Sequence, residues 1–470
     1  MTRIVIMGGG PAGYEAALVA AQHGSDVVVV ERNGMGGACV LDDCVPSKTF
    51  ISSAAIRVDL HRAPDLGLMV DREAVLVDLQ TVHGRVRTLA HAQSTDVAKR
   101  LEREGVRIIR GTAAFTDESH GRGPHLVTVR AADGGHEDLP ADVVLIATGA
   151  TPRILDDARP DGERILTWRQ LYDLDELPEH LVVIGSGVTG AEFVSAYVEL
   201  GARVTLISSR DRVLPGEDPH ASAVLQDVFA ERGVRILGQA RADSVRRDDS
   251  GVGGVLVTLA DGRTVCGSHA LMTVGSVPNT VDLGLVKIGI KTDRGGFIPV
   301  DRVSRTGVPG VYAAGDCTGV LMLASVAAMQ GRIAMWHALG EGVAPIKLKT
   351  VAAAVFTRPE IATVGISQRA IDSGEVPARM IMLALATNPR AKMQGLRRGF
   401  VKLFCRPATG VVIGGVVVAP VASELILPIA LAVRNGLTVD DLAYTFSVYP
   451  SLSGSITEAG RQLMRHSDLD

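Results

Sequence analysis

Short apolar runs that end in a glycine turn occur along the chain, each followed by a longer segment with helical spacing. Residues 2–7 (TRIVIM) form the first run, and glycine-rich residues 8–13 follow at once. A helix is predicted at 14–23 and a second strand at 26–30. Wholly apolar runs of this length are typical of strands buried on both faces of a parallel sheet. The pattern therefore predicts a β-α-β unit.

The same pattern occurs a second time near the middle of the chain. A predicted strand at 181–184 is followed by a glycine turn at 185–190, a helix at 191–200 and a strand at 202–207. Two such units predict an α/β protein with two Rossmann-like dinucleotide-binding domains.

Both turns have the glycine spacing of a dinucleotide site. The glycines allow a tight turn and a close approach of the backbone to a pyrophosphate at a helix N-terminus. A glycine motif alone is a weak signal, but here a strand precedes it and a helix follows it. The predicted contacts are, in the first unit, Gly8, Gly10, Pro11, Ala12, Gly13, Glu31 and Arg32, and in the second, Gly185, Gly187, Val188, Thr189 and Gly190.

The residue that closes the second strand differs between the two units. Glu31 can accept hydrogen bonds from ribose hydroxyls and would repel a 2′-phosphate, whereas Ser208, Ser209 and Arg210 would accommodate one. The second site is therefore predicted to bind NADPH, and NADH can also bind there. In the alternative interpretation, Arg210 and nearby Arg212 are only solvated surface.

Two cysteines near the N-terminus flank a pair of carboxylates in the stretch CVLDDCVPSK, which runs from Cys39 to Lys48. The chain has only 5 cysteines, and no signal peptide is expected, so a disulfide between Cys39 and Cys44 is predicted to be catalytic and not structural. Without a second cysteine pair, the spacing is a poor zinc site, and no metal is predicted.

Net charge and the distribution of apolar residues indicate whether nucleic acid or a membrane is an expected partner. The net charge is -4 with no basic block, so nucleic acid is an unexpected partner. The most apolar region, 411–433, is broken by Pro420, Glu424 and Pro428, and we expect a buried strand and helix there, with no stable membrane insertion. With 470 residues, the chain is expected to form two to four domains. A cytoplasmic location is also expected.

Several motifs appear in order along the chain. CVLDDCVPSK is followed by ATGATP at 147–152, VGSVPN at 274–279, YAAGD at 312–316 and FTRPE at 356–360. With these motifs, the chain resembles, over essentially its whole length, the pyridine nucleotide-disulfide oxidoreductases, the group of lipoamide dehydrogenase and glutathione reductase.

The resemblance implies a domain organisation and a set of cofactors. It implies FAD in a domain formed by 1–150 and 271–345, NADPH or NADH in a domain at 151–270, and an α+β dimerisation domain at 346–470. A homodimer is expected, because in this family each active site borrows residues from the partner.

The resemblance also implies roles for individual residues. Cys44 would be the charge-transfer thiolate, Cys39 the exchanging thiol, Lys48 the lysine beside the isoalloxazine and Glu192 its ion-pair partner. Asp316 would lie near the ribitol chain. Further cofactor contacts are expected at Gly37, Ala38, Ala113, Ala147, Thr148, Gly149, Gly275, Leu323, Ala324 and Ser325.

The sequence departs from the family at the acid-base pair. A C-terminal His-Pro with a following Glu is replaced here by Tyr449-Pro450 and Gly454. Tyr449 or the distant His466 is the alternative base, but a tyrosine with a pKa near 10 is poorly suited to proton abstraction at neutral pH.

A second departure lies between the cysteines. Asp42 and Asp43 stand where the family commonly has Asn and Gly. They are expected either to disfavour a thiolate or simply to point into solvent.

The sequence therefore predicts an FAD-dependent NAD(P)H oxidoreductase that passes hydride to flavin and on to a quinone-like acceptor. One alternative is a dihydrolipoamide dehydrogenase with an unusual acid-base residue. The other is a flavin-bearing redox sensor without significant turnover.

Overall fold

A computed structural model describes residues 1–116, 124–248 and 253–464, so His466 lies outside the described residues. The N-terminal part supplies most of the first sheet. Its strands are β1 (Arg3–Met7), β2 (Asp26–Glu31), β3 (Arg107–Phe115), β4 (His125–Ala131), β5 (His136–Ala141), β6 (Val143–Ile146) and β7 (Ala150–Pro152). Its helices are α1 (Pro11–Gln22), α2 (Gly37–Leu41), α3 (Cys44–Arg62) and α4 (Leu79–Arg103).

The middle of the chain forms a second sheet and a small antiparallel sheet. Its strands are β8 (Ile165–Thr167), β9 (His180–Ile184), β10 (Arg203–Ile207), β11 (Arg235–Leu237), β12 (Ala242–Asp248), β13 (Gly254–Leu259), β14 (Thr264–Gly267), β15 (His269–Met272) and β16 (Ser276–Pro278). Its helices are α5 (Val188–Leu200) and α6 (Pro219–Glu231). The parallel strand order of the second sheet is β11-β10-β9-β15-β8.

The chain then returns to the first sheet. Strand β17 (Val311–Ala313) pairs in parallel with β6, which gives the strand order β17-β6-β1-β2-β3-β4-β5. Helix α7 (Ala324–Ala338) follows and packs closely on α1. A Cβ at Gly331 would lie 2.1 Å from the carbonyl oxygen of Ala12, so only glycine permits this approach. Strand β15 ends at Met272, so the second sheet extends two residues beyond the predicted nucleotide-binding domain at 151–270. The boundaries of the four predicted domain segments remain predictions.

The C-terminal part forms an antiparallel sheet covered by short helices. Its strands are β18 (Ala352–Val355), β19 (Glu360–Gly365), β20 (Arg379–Ala384), β21 (Phe400–Cys405) and β22 (Val412–Ala419), in the order β18-β19-β22-β21-β20. Its helices are α8 (Gln368–Asp372), α9 (Pro389–Met393), α10 (Ala422–Leu425), α11 (Leu427–Asn435), α12 (Val439–Tyr444) and α13 (Gly454–Leu463).

The apolar region at 411–433 has the predicted form. Every residue of β22 is buried, and α10 and α11 follow it. In the part of the chain that the structure describes, no helix has the length and apolarity needed to cross a membrane.

Local pattern accounts for both β-α-β units. The apolar residues of β1 are buried, and they pair in parallel with those of β2, with Ile6 opposite Val29. In the second unit β9 pairs with β10 in the same way. Helices α1 and α5 begin three residues earlier than predicted, because each starts inside its glycine turn, after Gly10 and Gly187.

Candidate active site

One side of the first glycine turn packs tightly against backbone, and the other side opens into a cleft. A Cβ at Gly13 would lie 1.9 Å from the carbonyl oxygen of Gly8, and one at Gly8 would lie 2.3 Å from that of Ala147. A Cβ at Gly10, by contrast, would meet no atom within 4 Å. No side chain caps the N-terminus of α1, so its free amides face the opening. This arrangement fits the pyrophosphate of a dinucleotide.

Most residues predicted to contact the first cofactor line one continuous cleft. Two connected cavities share Gly8, Glu31, Arg32, Thr148 and Asn279 in their walls. The other predicted residues in these walls are Gly10, Pro11, Ala12, Gly37, Ala38, Cys39, Cys44, Ala113, Ala147, Gly149, Asp316 and Ala324. The cleft runs from the end of β2 to the cysteine pair, which suits an extended dinucleotide with its reactive ring beside the thiols.

Some predicted residues lie elsewhere. Gly13 packs inside the turn and is not in the cleft walls, and neither are Lys48, Glu192, Gly275 and Leu323. Ser325 lines a different cavity, between α7 and residues 341–352. Its neighbour Ala324 faces the cleft, because successive residues of a helix point in different directions.

The cleft also contains residues that the sequence did not single out. Asn279 belongs to the VGSVPN motif, and its side-chain amide donates to the Thr148 carbonyl at 2.9 Å. Trp168 and Arg169 line the end of the cleft near the cysteines. Neither residue belongs to a recognised motif. They reach the cleft only because the part of the chain that forms the second sheet packs on the part that forms the first.

Glu31 reaches across the entrance of the first turn. Its carboxylate accepts hydrogen bonds from the backbone N–H groups of Gly9 and Asn33, both at 2.7 Å. Glu31 therefore fixes the turn and at the same time presents a negatively charged group to the cleft. A ribose diol could donate to the remaining lone pairs of this carboxylate.

The two cysteines adjoin each other at the junction of α2 and α3. Both are free, half-buried thiols, and Cys44 is the first residue of α3. A hydrogen bond from the Cys39 thiol lowers the pKa of Cys44 and raises that of Cys39. The positive end of the helix dipole also favours negative charge at Cys44. Cys44 is thus the thiol that ionises first.

Lys48 on α3 and Glu192 on α5 form an ion pair. Lys48 Nζ lies 2.9 Å from Glu192 Oε2, and the Glu192 side chain is only 5% exposed. The other oxygen, Oε1, accepts from the backbone N–H of Phe356 at 2.9 Å. Burial lowers the pKa of Lys48, but the charges of Glu192 and Cys44 outweigh burial, so the net pKa is raised. Lys48 therefore remains a cation beside Cys44.

Neither carboxylate between the cysteines points freely into solvent, so that expectation is wrong. Asp42 and Asp43 both line the cleft, and Asp42 Oδ2 lies 3.4 Å from Arg169 Nε. Burial raises the pKa of both carboxyl groups. They lie in the cleft because α2 and α3 form a tight helical junction, not the surface turn that two adjacent acids suggested.

Replacing Asp43 by asparagine is expected to shift ionisation of Cys44 to lower pH. The Asp43 carboxylate raises the pKa of Cys44, so a neutral amide at this position favours the thiolate. The measurement is the thiolate absorbance of the dithiothreitol-reduced protein as a function of pH. Asp42→Asn is the matched control, because Asp42 is paired with Arg169 and should shift the curve less. A curve unchanged in Asp43→Asn would contradict the electrostatic argument.

The second glycine turn repeats the geometry of the first. A Cβ at Gly190 would lie 2.0 Å from the carbonyl oxygen of Gly185, whereas one at Gly187 would meet nothing within 4 Å. No side chain caps α5, which begins with Val188 and Thr189. The second turn can therefore hold a second pyrophosphate in the same way.

The residues after β10 have different roles from those predicted. Ser208 is fully buried. Its hydroxyl group forms hydrogen bonds with Ser186 Oγ at 2.7 Å and with the backbone of Arg210. Ser208 thus fixes the loop from inside, and the predicted phosphate contact through its hydroxyl is not what the structure shows. Ser209 and Arg210 are exposed at this edge. Arg212 lines a separate cavity against the C-terminal sheet.

The positions of the missing acid-base pair lie near the C-terminus. Tyr449 is 82% exposed, and the neighbouring Phe446 and Val448 are also largely exposed. Gly454 is the first residue of α13 and has no side chain to offer. Large apolar groups exposed together are a feature of interfaces.

Comparisons with known proteins agree with the fold. The family described as "Pyridine nucleotide-disulphide oxidoreductase" matches residues 2–331, and its dimerisation domain matches residues 351–460. An NAD(P)H dehydrogenase (quinone) of Mycobacterium tuberculosis (strain CDC 1551 / Oshkosh) is 64% identical over 473 residues, which cover 100% of this chain and 95% of the relative. A dihydrolipoyl dehydrogenase of Chlorobaculum tepidum is 33% identical over 458 residues, which cover 97% and 96% of the two proteins.

Solved structures give the same result. The crystal structure of LpdA from Mycobacterium tuberculosis matches with a TM-score of 0.95 and 63% identity, over 99% of this chain and 100% of that chain. The flavoprotein disulfide reductase RclA from Escherichia coli, at 23% identity and a TM-score of 0.85, shares the fold. The predicted α/β architecture is confirmed, and the dimerisation domain supports a homodimer. The chain belongs to the pyridine nucleotide-disulphide oxidoreductases, oxidoreductases that use FAD and NAD(P)H.

Proposed function

We propose that this protein transfers electrons from NAD(P)H, through FAD, to a quinone-like acceptor. The observation that carries the proposal is that Tyr449 and Gly454 stand where the resemblance implies the family's acid-base pair, while Cys39 and Cys44 line the cleft. The name of the relative from Mycobacterium tuberculosis, NAD(P)H dehydrogenase (quinone), supports the same acceptor.

The first cleft would hold FAD along its length. The free amides of α1 would bind the pyrophosphate, and Glu31 would accept from the adenosine ribose. Asp316 lies in the same walls, and burial beside Asp43 raises its pKa to about 6. A carboxyl group there would hydrogen-bond the ribitol hydroxyls. When bound, FAD supplies a group that accepts a hydride from NAD(P)H.

The second turn would hold NADPH or NADH. The amides of α5 would bind its pyrophosphate, and exposed Ser209 and Arg210 would face the ribose. A guanidinium there favours the 2′-phosphate of NADPH. The two turns lie at the carboxyl ends of parallel strands in neighbouring sheets, where α/β proteins bind such ligands.

The residues at the cysteine end of the cleft would set its charge. Lys48, held by Glu192, places a cation beside Cys44 and stabilises negative charge that develops there. Cys44 and Cys39 can form a disulfide or remain as thiols, so they can store an electron pair. A quinone does not exchange with a disulfide, so its reduction does not require a base at Tyr449.

A comparison of two acceptors tests the proposal. Oxidation of NADPH is expected to be fast with a soluble quinone and slow with lipoamide at equal enzyme concentration. The double variant Tyr449→His with Gly454→Glu supplies the missing acid-base pair, and its lipoamide activity should rise by about 10²-fold, as is typical for a positioned acid-base group. Tyr444→His, a change at another exposed tyrosine, is the control.

The alternatives give different outcomes in the same assay. Rapid lipoamide turnover by the unmodified protein would overturn the proposal in favour of a dihydrolipoamide dehydrogenase. A flavin-bearing sensor would show no sustained NADPH oxidation with either acceptor. The expected cytoplasmic location stays a prediction.

A further inference from the structure

A fully buried lysine links the C-terminal sheet to the second nucleotide-binding unit. Lys402 lies in β21 with 0% of its side chain exposed, between the rings of Phe400 and Phe404. A buried ammonium group is costly unless its donors are all satisfied. Its presence in a strand that is otherwise apolar therefore calls for a specific role.

The Lys402 ammonium group has three partners, one for each of its N–H donors. It donates to Asp218 Oδ2 at 2.6 Å and to Gln368 Oε1 at 3.1 Å, and His220 Nδ1 lies 3.0 Å away. Gln368 belongs to the C-terminal part, but Asp218 and His220 lie at the N-terminus of α6, in the middle part of the chain. The Asp218 side chain is only 2% exposed, so water contributes little to its stabilisation. This is a desolvated ion pair across two parts of the chain.

Asp218 holds the start of α6. Its second oxygen, Oδ1, accepts from the backbone N–H groups of His220 at 2.9 Å and Ala221 at 3.2 Å. One carboxylate therefore caps the helix and also pairs with Lys402. The N-terminus of α6 is therefore tied to the C-terminal sheet through Asp218.

The loop that ends at Asp218 is the one that begins at Ser208. We call residues 208–218 the nucleotide loop. Its middle is fastened to the second glycine turn, because the N–H of Leu214 donates to the carbonyl oxygen of Ser186 at 2.8 Å. Leu214 has a φ of 52°, a left-handed conformation that costs free energy for leucine and persists only where the surroundings enforce it. The loop is thus held at Ser186 and at Asp218, in addition to the Ser208 contacts at its start and the N–H of Gln239, which donates to the Arg210 carbonyl oxygen at 2.8 Å.

We propose that Lys402 is a positioning residue for recognition of the NADPH 2′-phosphate. Through Asp218 it fixes the nucleotide loop so that Ser209 and Arg210 face the ribose of the bound nucleotide. This inference rests on the proposed use of NADPH at the second turn. It connects the C-terminal sheet, which matches the family's dimerisation domain, to nucleotide specificity.

A second contact between the same two parts of the chain supplies the control. Arg398 pairs with Asp227 at 3.0 Å and with Glu231, both on α6. These side chains are about half exposed, so the contact is screened by water and contributes little. The contact also lies towards the far end of α6 from the nucleotide loop. Removing it should not change nucleotide preference.

The experiment measures the binding of 2′,5′-ADP and of 5′-ADP to the FAD-loaded protein by calorimetry. The ratio of the two affinities isolates the contribution of the 2′-phosphate, which a general loss of stability would not change selectively. The test variant is Lys402→Met with Asp218→Asn, which removes both buried charges and retains a residue that caps helices well. The ratio is expected to fall by about fivefold or more, the lower end of coupling between sites. Arg210→Gln should also lower it, and Arg398→Gln should leave it unchanged.

The outcomes separate this inference from the proposed function. Equal binding of the two probes by the unmodified protein would overturn the NADPH assignment together with the inference. A preference that the double variant retains in full would overturn the inference alone. Should the double variant not fold, Gln368→Leu removes one acceptor of Lys402 and should lower the ratio in the same direction, and an unchanged ratio there would likewise overturn the role of Lys402.

Discussion

Replacing Gly190 by alanine is expected to give a protein that retains FAD but is reduced by NADPH about 10²-fold more slowly, the loss typical of a small misplacement of a reactant. The added Cβ would lie 2.0 Å from the carbonyl oxygen of Gly185 and 2.8 Å from Thr273 Oγ1. The turn and the start of α5 must therefore shift, and the pyrophosphate site with them. The first turn is untouched. The measurement is the rate of flavin bleaching by NADPH in a stopped-flow instrument, compared with bleaching by dithionite.

The equivalent change in the first turn should have the opposite signature. In Gly13→Ala the Cβ would lie 1.9 Å from the carbonyl oxygen of Gly8, so the FAD site is distorted and the purified protein should be colourless. Gly84→Ala, in α4, adds a Cβ that meets nothing within 4 Å and should behave as the unmodified protein. If Gly190→Ala lost FAD, or if Gly13→Ala kept it, the assignment of the two turns would be wrong.

Replacing Lys48 by methionine is expected to slow reduction of the flavin by about 10²–10³-fold, the usual effect of removing one group that stabilises developing charge. The change also leaves the Glu192 carboxylate without its cation, in a site where the Glu192 side chain is only 5% exposed. Loss of the cation raises the pKa of Cys44, so thiolate formation in the reduced protein should move to higher pH. Stopped-flow kinetics and a pH titration of thiolate absorbance measure the two effects.

Arg57→Met is the matched control for Lys48→Met. Arg57 also lies on α3 and also reaches α5, where its guanidinium donates to the carbonyl oxygen of Glu199 at 2.7 Å. It contacts neither cysteine, so its loss should lower stability without changing the pH dependence of Cys44. Equal effects of the two changes on flavin reduction would show that packing of α3 on α5, and not the charge of Lys48, is what matters.

The sequence alone was sufficient for the parts of the fold that depend on neighbouring residues. A wholly apolar run, a glycine turn and a helix are adjacent in the chain, so the two β-α-β units could be predicted from local pattern. The close contacts of Gly13 and Gly190 are local, because a Cβ there would collide with the carbonyl oxygens of Gly8 and Gly185 in the same turn. The cysteine stretch is equally local. The close contacts of Gly8 and Gly185 are with Ala147 and Thr273, which only the folded chain brings near.

Other features required the tertiary structure, because their partners are far apart in the chain. The sequence could not show that Ser208 is buried while Ser209 and Arg210 are exposed, since this depends on how the loop after β10 packs. Nor could it show that Arg169 lies beside Asp42 in the cleft.

The ion pairs Lys48–Glu192 and Lys402–Asp218 show the same difference between what local sequence predicts and what the tertiary structure decides. Resemblance to a family suggested that Lys48 meets Glu192, 144 residues away, but no motif contains Lys402 or Asp218, which are 184 residues apart. From the sequence, Lys402 is one charged residue in an otherwise apolar strand, and nothing near it in the chain shows which groups would pair with it. Packing of α6 against the C-terminal sheet removes it from water and provides two partners, Asp218 and His220, besides Gln368 of the C-terminal part. Local pattern thus determined the elements and the type of chemistry, whereas packing between distant segments decided which charges meet, because a buried charge is stable only where the folded chain supplies its partner.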